Sequence, residues 1–215
     1  MQNWRQRAND IEQIGGKKLG IALEQLTQLN YLEIYLNKNK IQEAGAVKIG
    51  QALQQIPELT NLELYLKSNE IKESGTIEIA KGIQQLKNVE NLSLGLSENG
   101  ISEDACLYLS QALQQQISVK SLELYLNDND FGQKGALKIL KSLDNLKKST
   151  SLRLGIDDND MTASGASGII SALEKLQKLS SLELYLQQKE ILKQTNVIYL
   201  INYHFKYKTQ RNRGY

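Results

Sequence analysis

The sequence predicts an α/β solenoid, a stack of strand–turn–helix units, on three observations. A leucine recurs every 30 residues without insertion, at Leu32, Leu62, Leu92, Leu122, Leu152 and Leu182. A second apolar column keeps the same spacing, at Leu36, Leu66, Leu96, Leu126, Ile156 and Leu186. Within each unit the spacing of apolar residues changes from alternation to a helical repeat, as expected where a strand is followed by a helix.

The first part of each unit has the pattern of a strand. In residues 61–66, Leu62, Leu64 and Leu66 alternate with polar or aromatic residues, so the leucines share one face and Glu63 and Tyr65 share the other. In the following segment, residues 75–86, the apolar residues recur at helical spacing. We therefore expect the helix to bury one stripe against the leucines of the strand.

Two columns predict how the strand and helix are joined. A short amide side chain at the bend can bond to backbone groups that the strand leaves unpaired. Stacked units would then form a hydrogen-bonded ladder of Asn39, Asn69, Asn99, Asn129 and Asn159. The glycine column is expected where a side chain would collide at the entry to the helix, and it comprises Gly45, Gly75, Gly135 and Gly165, with Ala105 as the exception.

The pattern LxLxLxxNxIxxxGxxxIxxAL resembles the ribonuclease-inhibitor-like class of leucine-rich repeats, over residues 9 to about 186. The resemblance implies a horseshoe-shaped leucine-rich-repeat solenoid, with parallel strands on the concave side and helices on the convex side. The third leucine of each strand and the period of 30 resemble a variant that is frequent in ciliated protists. By analogy, this variant implies a cytoskeletal or ciliary role.

The domain boundaries follow from the columns. The solenoid is predicted over residues 1–186, with a partial unit at 1–31 and units that start near residues 32, 62, 92, 122, 152 and 182. Trp4 either caps the first strand or leaves that edge for a partner. Residues 187–215 diverge from the repeat and alternate apolar and polar residues. They are predicted to form a terminal cap, or a basic arm with Lys206, Lys208, Arg211 and Arg213 that docks on an acidic protein surface or, as the less favoured alternative, a nucleic acid.

Charge and composition narrow the function classes. Hydrophobic residues make up 40% of the chain and charged residues 23%, as in a globular domain. The net charge is +2, but residues 187–215 hold six basic residues and one acid, so the remainder is slightly acidic. The body is thus not expected to bind nucleic acid. No apolar run is long enough for a membrane span, no leader is recognisable, and Cys106 has no partner for an internal disulfide, which together favour the cytoplasm.

No catalytic motif is present. Zinc-ligand spacing, a phosphate-binding glycine loop and a nucleophile elbow are absent from the sequence. The single histidine, His204, lies in the divergent segment, and Cys106 lies in a column of small residues, where packing is the expected role. We expect no enzyme activity, no cofactor, no metal and no small-molecule substrate.

The concave face of the strands is the predicted protein-binding site. Its candidate residues are Glu33, Tyr35, Glu63, Tyr65, Lys67, Glu123, Tyr125, Arg153, Asp157, Glu183 and Tyr185. Tyrosine is a frequent anchor in interfaces, although it also favours strands for structural reasons. Gly95 and Gly155 replace tyrosine in two units, which predicts pockets for the side chains of a partner.

These observations predict a binding module or scaffold subunit of a multi-subunit assembly. The alternative is a regulator of an enzyme, since similar repeats occur in ribonuclease inhibitors and in GTPase-activating proteins. No motif in the sequence transfers either activity.

Overall fold

The computed structural model describes residues 9–161 and 163–185 of the chain. Strands and helices alternate through this part of the chain. The strands are β1 Tyr31–Tyr35, β2 Asn61–Tyr65, β3 Asn91–Gly95, β4 Ser121–Tyr125, β5 Ser151–Gly155 and β6 Ser181–Tyr185. The helices are α1 Glu12–Leu23, α2 Gln42–Leu53, α3 Lys72–Gln85, α4 Glu103–Gln114, α5 Gly132–Ser142 and α6 Ala163–Lys175, with a 3₁₀ turn at Leu143–Asn145 after α5.

The strands form one parallel sheet in the order of the sequence, β1 to β6. The register between neighbours is always 30 residues, so that Leu32 lies opposite Leu62 and Tyr65 lies opposite Gly95. The predicted fold class, an α/β solenoid of parallel strands and helices, is confirmed. Each residue column of the sequence is therefore a row of neighbouring side chains across the sheet.

A single hydrophobic core lies between the sheet and the helices. The strand leucines of the central units, such as Leu62, Leu92 and Leu122, are fully buried, and Ile79 and Ile83 of α3 pack against this core. Burying one such side chain contributes about 1.5–3 kcal/mol. Because consecutive units share this core, pair their strands and pack their helices, the stability of each unit depends on its neighbours.

The helices begin earlier than the glycine column that was expected to mark their start. Helix α3 runs from Lys72, so Gly75 lies inside its first turn. A Cβ atom at Gly75 would lie 2.8 Å from the Cβ of Ala46 in α2. The glycine is thus required by the close contact between neighbouring helices.

The asparagine column forms a continuous ladder in which each side chain joins two units. The amide Oδ1 of Asn99 accepts hydrogen bonds from the backbone N–H groups of Asn69 and Ile71, at 2.9 and 3.4 Å. Its Nδ2 donates to the carbonyls of Leu66, Leu96 and Ser97, at 2.9–3.0 Å. The same pattern is found at Asn69 and Asn129. Within residues 9–161, the ladder satisfies buried backbone groups at the turns between strand and helix.

Several predictions concern the two ends of the chain. Trp4 and residues 187–215, including the basic arm at Lys206, Lys208, Arg211 and Arg213, lie outside the described residues. Within the described part, none of the helices has the length and apolar character needed to cross a bilayer.

Candidate functional site

The tyrosine–glutamate face is the surface formed by the outward residues of the strands: Glu33, Tyr35, Glu63, Tyr65, Glu123, Tyr125, Glu183 and Tyr185. Strand alternation places these side chains opposite the buried leucines. All except Glu33, which is exposed, are partly buried. Because they are only partly buried, each of these side chains is covered in part by its neighbours and is in part accessible to solvent.

Two tyrosines are stacked at the N-terminal end of this face. The rings of Tyr35 and Tyr65 are 4.9 Å apart between centroids, with an interplanar angle of 4°. The Tyr35 hydroxyl donates a hydrogen bond of 2.7 Å to Oε2 of Glu63. Stacking and hydrogen bonding together restrict the rotamers of both rings.

The ring of Tyr65 lies across the next unit. A Cβ atom at Gly95 would be 2.5 Å from Cδ1 of Tyr65, and the Tyr65 hydroxyl donates to Oε2 of Glu123, two units away, at 3.1 Å. The prediction of a pocket at Gly95 is therefore wrong, because the ring of Tyr65 fills the space.

The pocket predicted at Gly155 is wrong for a similar reason. The Nδ2 and Oδ1 atoms of Asn127 would lie 2.8 and 2.9 Å from a Cβ at this glycine. Both glycines are buried and make room for a side chain from the preceding unit. The side chains of the face can pack in this way because these two positions are glycine.

An ion-pair bridge spans the C-terminal end of the face. Arg153 pairs through its guanidinium with Glu123 on one side, and its Nε lies 3.3 Å from Oε1 of Glu183 on the other. The Tyr185 hydroxyl donates to Oε2 of Glu183 at 2.9 Å. Tyr125 and Tyr185 meet edge to face, with centroids 5.6 Å apart across Gly155. Arg153 thus neutralises part of the charge of this half.

The titration of these groups follows from their surroundings. Burial, followed by the charge of Glu123, raises the pKa of the Tyr65 and Tyr125 phenols well above the ordinary value. Burial and the hydrogen bond to Glu183 raise the pKa of Tyr185. Burial lowers the pKa of Arg153, but the carboxylates of Glu123 and Glu183 outweigh it and raise the pKa overall. Tyr65, Tyr125 and Tyr185 therefore stay neutral at neutral pH, and Tyr65 and Tyr185 donate hydrogen bonds to carboxylates.

The third outward column is less accessible than predicted. Asp157, predicted to contact a partner, is only 3% exposed, so its side chain offers little surface to a partner. The residues of this column turn along the sheet, as Asn37 and Asn127 accept bonds of 2.9 Å from the backbone N–H groups of Lys67 and Asp157. Lys67 remains partly exposed and forms an ion pair of 2.8 Å with Glu98.

Cys106 is a further potentially reactive side chain among the described residues. Burial raises the pKa of the Cys106 thiol to about 12, which leaves it protonated and inert at neutral pH. Among the described residues, no group of three or more histidine, cysteine, aspartate or glutamate side chains is arranged to hold a metal ion.

One tyrosine of this surface was not among the predicted residues. Tyr31 is 48% exposed, and its hydroxyl donates to Oε2 of Glu33 at 2.8 Å. It precedes Glu33 by two residues and so shares its face, which the strand alternation could have indicated. In the other units this position holds asparagine or serine.

Comparison with known proteins identifies the fold. No family model and no curated protein sequence matches the chain. Among solved structures, the chain is similar to the actin-binding site 2 of leiomodin-1, with a TM-score of 0.54 and 16% identity. The match covers 74% of this chain and 87% of that chain. The 30-residue leucine pattern and the parallel sheet together show an α/β repeat solenoid, consistent with a leucine-rich-repeat fold.

Proposed function

We propose that this protein is a non-enzymatic protein-binding module that contacts its partner through the tyrosine–glutamate face. The carrying observation is that the sheet holds four tyrosines of this face in a network. Tyr35 and Tyr65 are stacked, Tyr125 and Tyr185 meet edge to face, and three of the hydroxyls donate to glutamates.

A network of this kind favours binding because the tyrosines are ordered before a partner arrives. Immobilising a flexible side chain in an interface costs about 0.5–1.5 kcal/mol, and a restrained ring avoids most of this cost. Each ring also offers a large apolar area with a polar tip. The central residues Tyr65 and Glu123 are the expected anchors, since the dominant residues of interfaces cluster near the centre.

The structural comparison supports the general class of function. A solved structure of similar fold is named as an actin-binding site, so this scaffold is used elsewhere to bind a protein. The similarity of the repeats to those of ciliated protists extends the proposal to a scaffold subunit of a cytoskeletal or ciliary assembly. Fractionation of cells would test this extension, with the protein expected in the insoluble cytoskeletal fraction and not with free soluble proteins.

The experiment compares variants of the full chain as bait in quantitative affinity purification. Tyr65→Ala combined with Tyr125→Ala removes two rings from the proposed site. Tyr108→Ala is the matched control, because Tyr108 is a tyrosine of α4 on the helical side and is 41% exposed. Proteins that bind through the tyrosine–glutamate face should be lost with the double variant and retained with the control. Thermal melting of each variant verifies that the bait is folded.

A binding curve with the recovered partner then gives the size of the effect. Each tyrosine substitution should weaken binding by about 1–2 kcal/mol or more, the range that separates anchors from bystanders. If the Tyr108 variant loses the partner while the concave variant retains it, the helical side is the binding surface and the proposal is wrong.

A further inference from the structure

The tyrosine–glutamate face presents mainly hydrogen-bond acceptors. The hydroxyl groups of Tyr31, Tyr35, Tyr65 and Tyr185 each donate their one hydrogen to a glutamate, at distances of 2.7–3.1 Å. A phenol that has donated its hydrogen offers only lone pairs, and a carboxylate has room for several donors. The chemical groups that such a surface offers to a partner are therefore phenol and carboxylate oxygens.

The charge of the face also favours a partner that supplies hydrogen-bond donors, because its outward residues are mainly acidic. Four acids, Glu33, Glu63, Glu123 and Glu183, stand in the outward positions of the described strands, and the basic residues among the predicted contacts are Lys67 and Arg153. Both basic residues are engaged in ion pairs, Lys67 with Glu98 and Arg153 with Glu123 and Glu183. The stacked pair Tyr35–Tyr65 lies at the end of the face where Glu33 and Glu63 are placed, away from Arg153.

An acidic rim continues this surface at the carboxyl ends of strands β3 to β5. It consists of the exposed residues Glu98, Asp128, Asp130, Asp158 and Asp160. Burial and repulsion by the charges of Asp158 and Glu98 raise the pKa of Asp128, while the positive charge of Lys67 lowers it. Positive charge brought to this edge would relieve that repulsion.

We propose that the partner of the tyrosine–glutamate face is a protein segment rich in arginine and lysine, whose N–H groups bind the phenol and carboxylate oxygens of the face. This inference rests on the proposed function and specifies the chemistry of the partner. Arginine and lysine supply donors and no acceptors, which complements a surface of acceptors. A nucleic acid or an acidic protein surface would instead meet like charge.

The test uses two labelled probes, nona-arginine and nona-glutamate, titrated into the full chain and followed by fluorescence anisotropy. The site variant is Glu33→Gln with Glu63→Gln, which removes two charges and keeps the shape of the side chains. The control is Glu58→Gln with Glu174→Gln, which removes two charges at exposed positions outside the strands. Both variants therefore have the same net charge.

The expected result is that nona-arginine binds and nona-glutamate does not. Removing the two charges at the site should weaken nona-arginine binding about tenfold, which corresponds to roughly 1.4 kcal/mol, whereas the control should stay within about twofold of the wild type. Equal loss in both variants would show that the probe senses only net charge, and an unchanged site variant would show that it binds elsewhere. Either result overturns the inference.

The same variants separate this inference from the proposed function. If the Tyr65→Ala/Tyr125→Ala bait loses its cellular partner and the Glu33→Gln/Glu63→Gln bait retains it at unchanged affinity, the face binds a partner that is not basic. The inference then fails and the proposed function stands. If neither bait loses its partner, both fail.

Discussion

The two ends of the solenoid pair their strands in the same way but pack their helices differently. In the N-terminal units, glycine lets the helices approach closely: a Cβ at Gly20 would lie 2.7 Å from the backbone carbonyl carbon of Lys48, and one at Gly50 would lie 2.3 Å from that of Glu78. In α5 the same column holds Leu140, and a cavity of about 260 Å³ lies between α5 and α6, lined by Leu137, Leu140 and Ala172 among others. The helices are thus tightly packed at one end and looser at the other.

One residue column accounts for this difference. It holds residues of increasing size along the chain, namely Gly20, Gly50, Ala80, Ser110, Leu140 and Ile170. The distance between packed helices depends on the side chains at their contact, whereas the spacing of strands is set by backbone hydrogen bonds. The gradient teaches that the side chains of this column limit how closely neighbouring helices can approach, while the strands keep one register along the sheet.

The largest effect on stability is expected in the asparagine ladder, which both ends share. Leucine in place of Asn69 or Asn129 leaves several buried backbone groups without a partner, and each such group costs about 1–3 kcal/mol. Both substitutions should lower the free energy of unfolding by about 3 kcal/mol or more, measured by urea denaturation. A much smaller loss at Asn129 than at Asn69 would show that the ladder, like the helix packing, weakens along the chain.

The second prediction addresses the tight end. Gly50→Ala forces the backbones of α2 and α3 apart, and we expect a loss of about 2 kcal/mol despite the better helix propensity of alanine. Ser110→Ala changes the same column in α4 and should alter the stability by less than about 0.5 kcal/mol. A Gly50→Ala protein as stable as the wild type would mean that the N-terminal helices are not in close contact.

The smallest effect is expected at the loose end, with the opposite sign. A Cβ at Gly168 would lie 2.6 Å from Cδ2 of Leu137, the flexible end of a side chain that can move into the cavity. Gly168→Ala should therefore raise the free energy of unfolding by about 0.5–1 kcal/mol, through helix propensity. Destabilisation comparable to that of Gly50→Ala would remove the distinction between the two ends.

The sequence predicted the parts of the fold that repetition makes visible. Strand positions, the buried leucine face and the position of Asn99 at the bend follow from columns, because every unit repeats the same local problem. The helix start at Lys72 was missed because the glycine marks a contact between helices and not a boundary.

The candidate site was less predictable, because its side chains interact across units. Tyr65 crosses Gly95 to reach Glu123, and this direction depends on the rotamer and on the space that the glycine leaves. The column pattern also predicted that Asp157 faces outward. In the structure its side chain is buried, and its backbone N–H donates a hydrogen bond to Oδ1 of Asn127. Periodicity assigns a residue to a face of the sheet but does not determine the direction of its side chain along that face.

The most direct test of the central claim is site-specific photo-cross-linking. Benzoylphenylalanine replaces Tyr35 on the tyrosine–glutamate face in one protein and Tyr108 on the helical side in another, and both proteins are irradiated in cells. If partners bind the concave face, the probe at position 35 yields a specific cross-linked protein and the probe at position 108 does not. A cross-link to the same protein from position 108 alone would contradict the account.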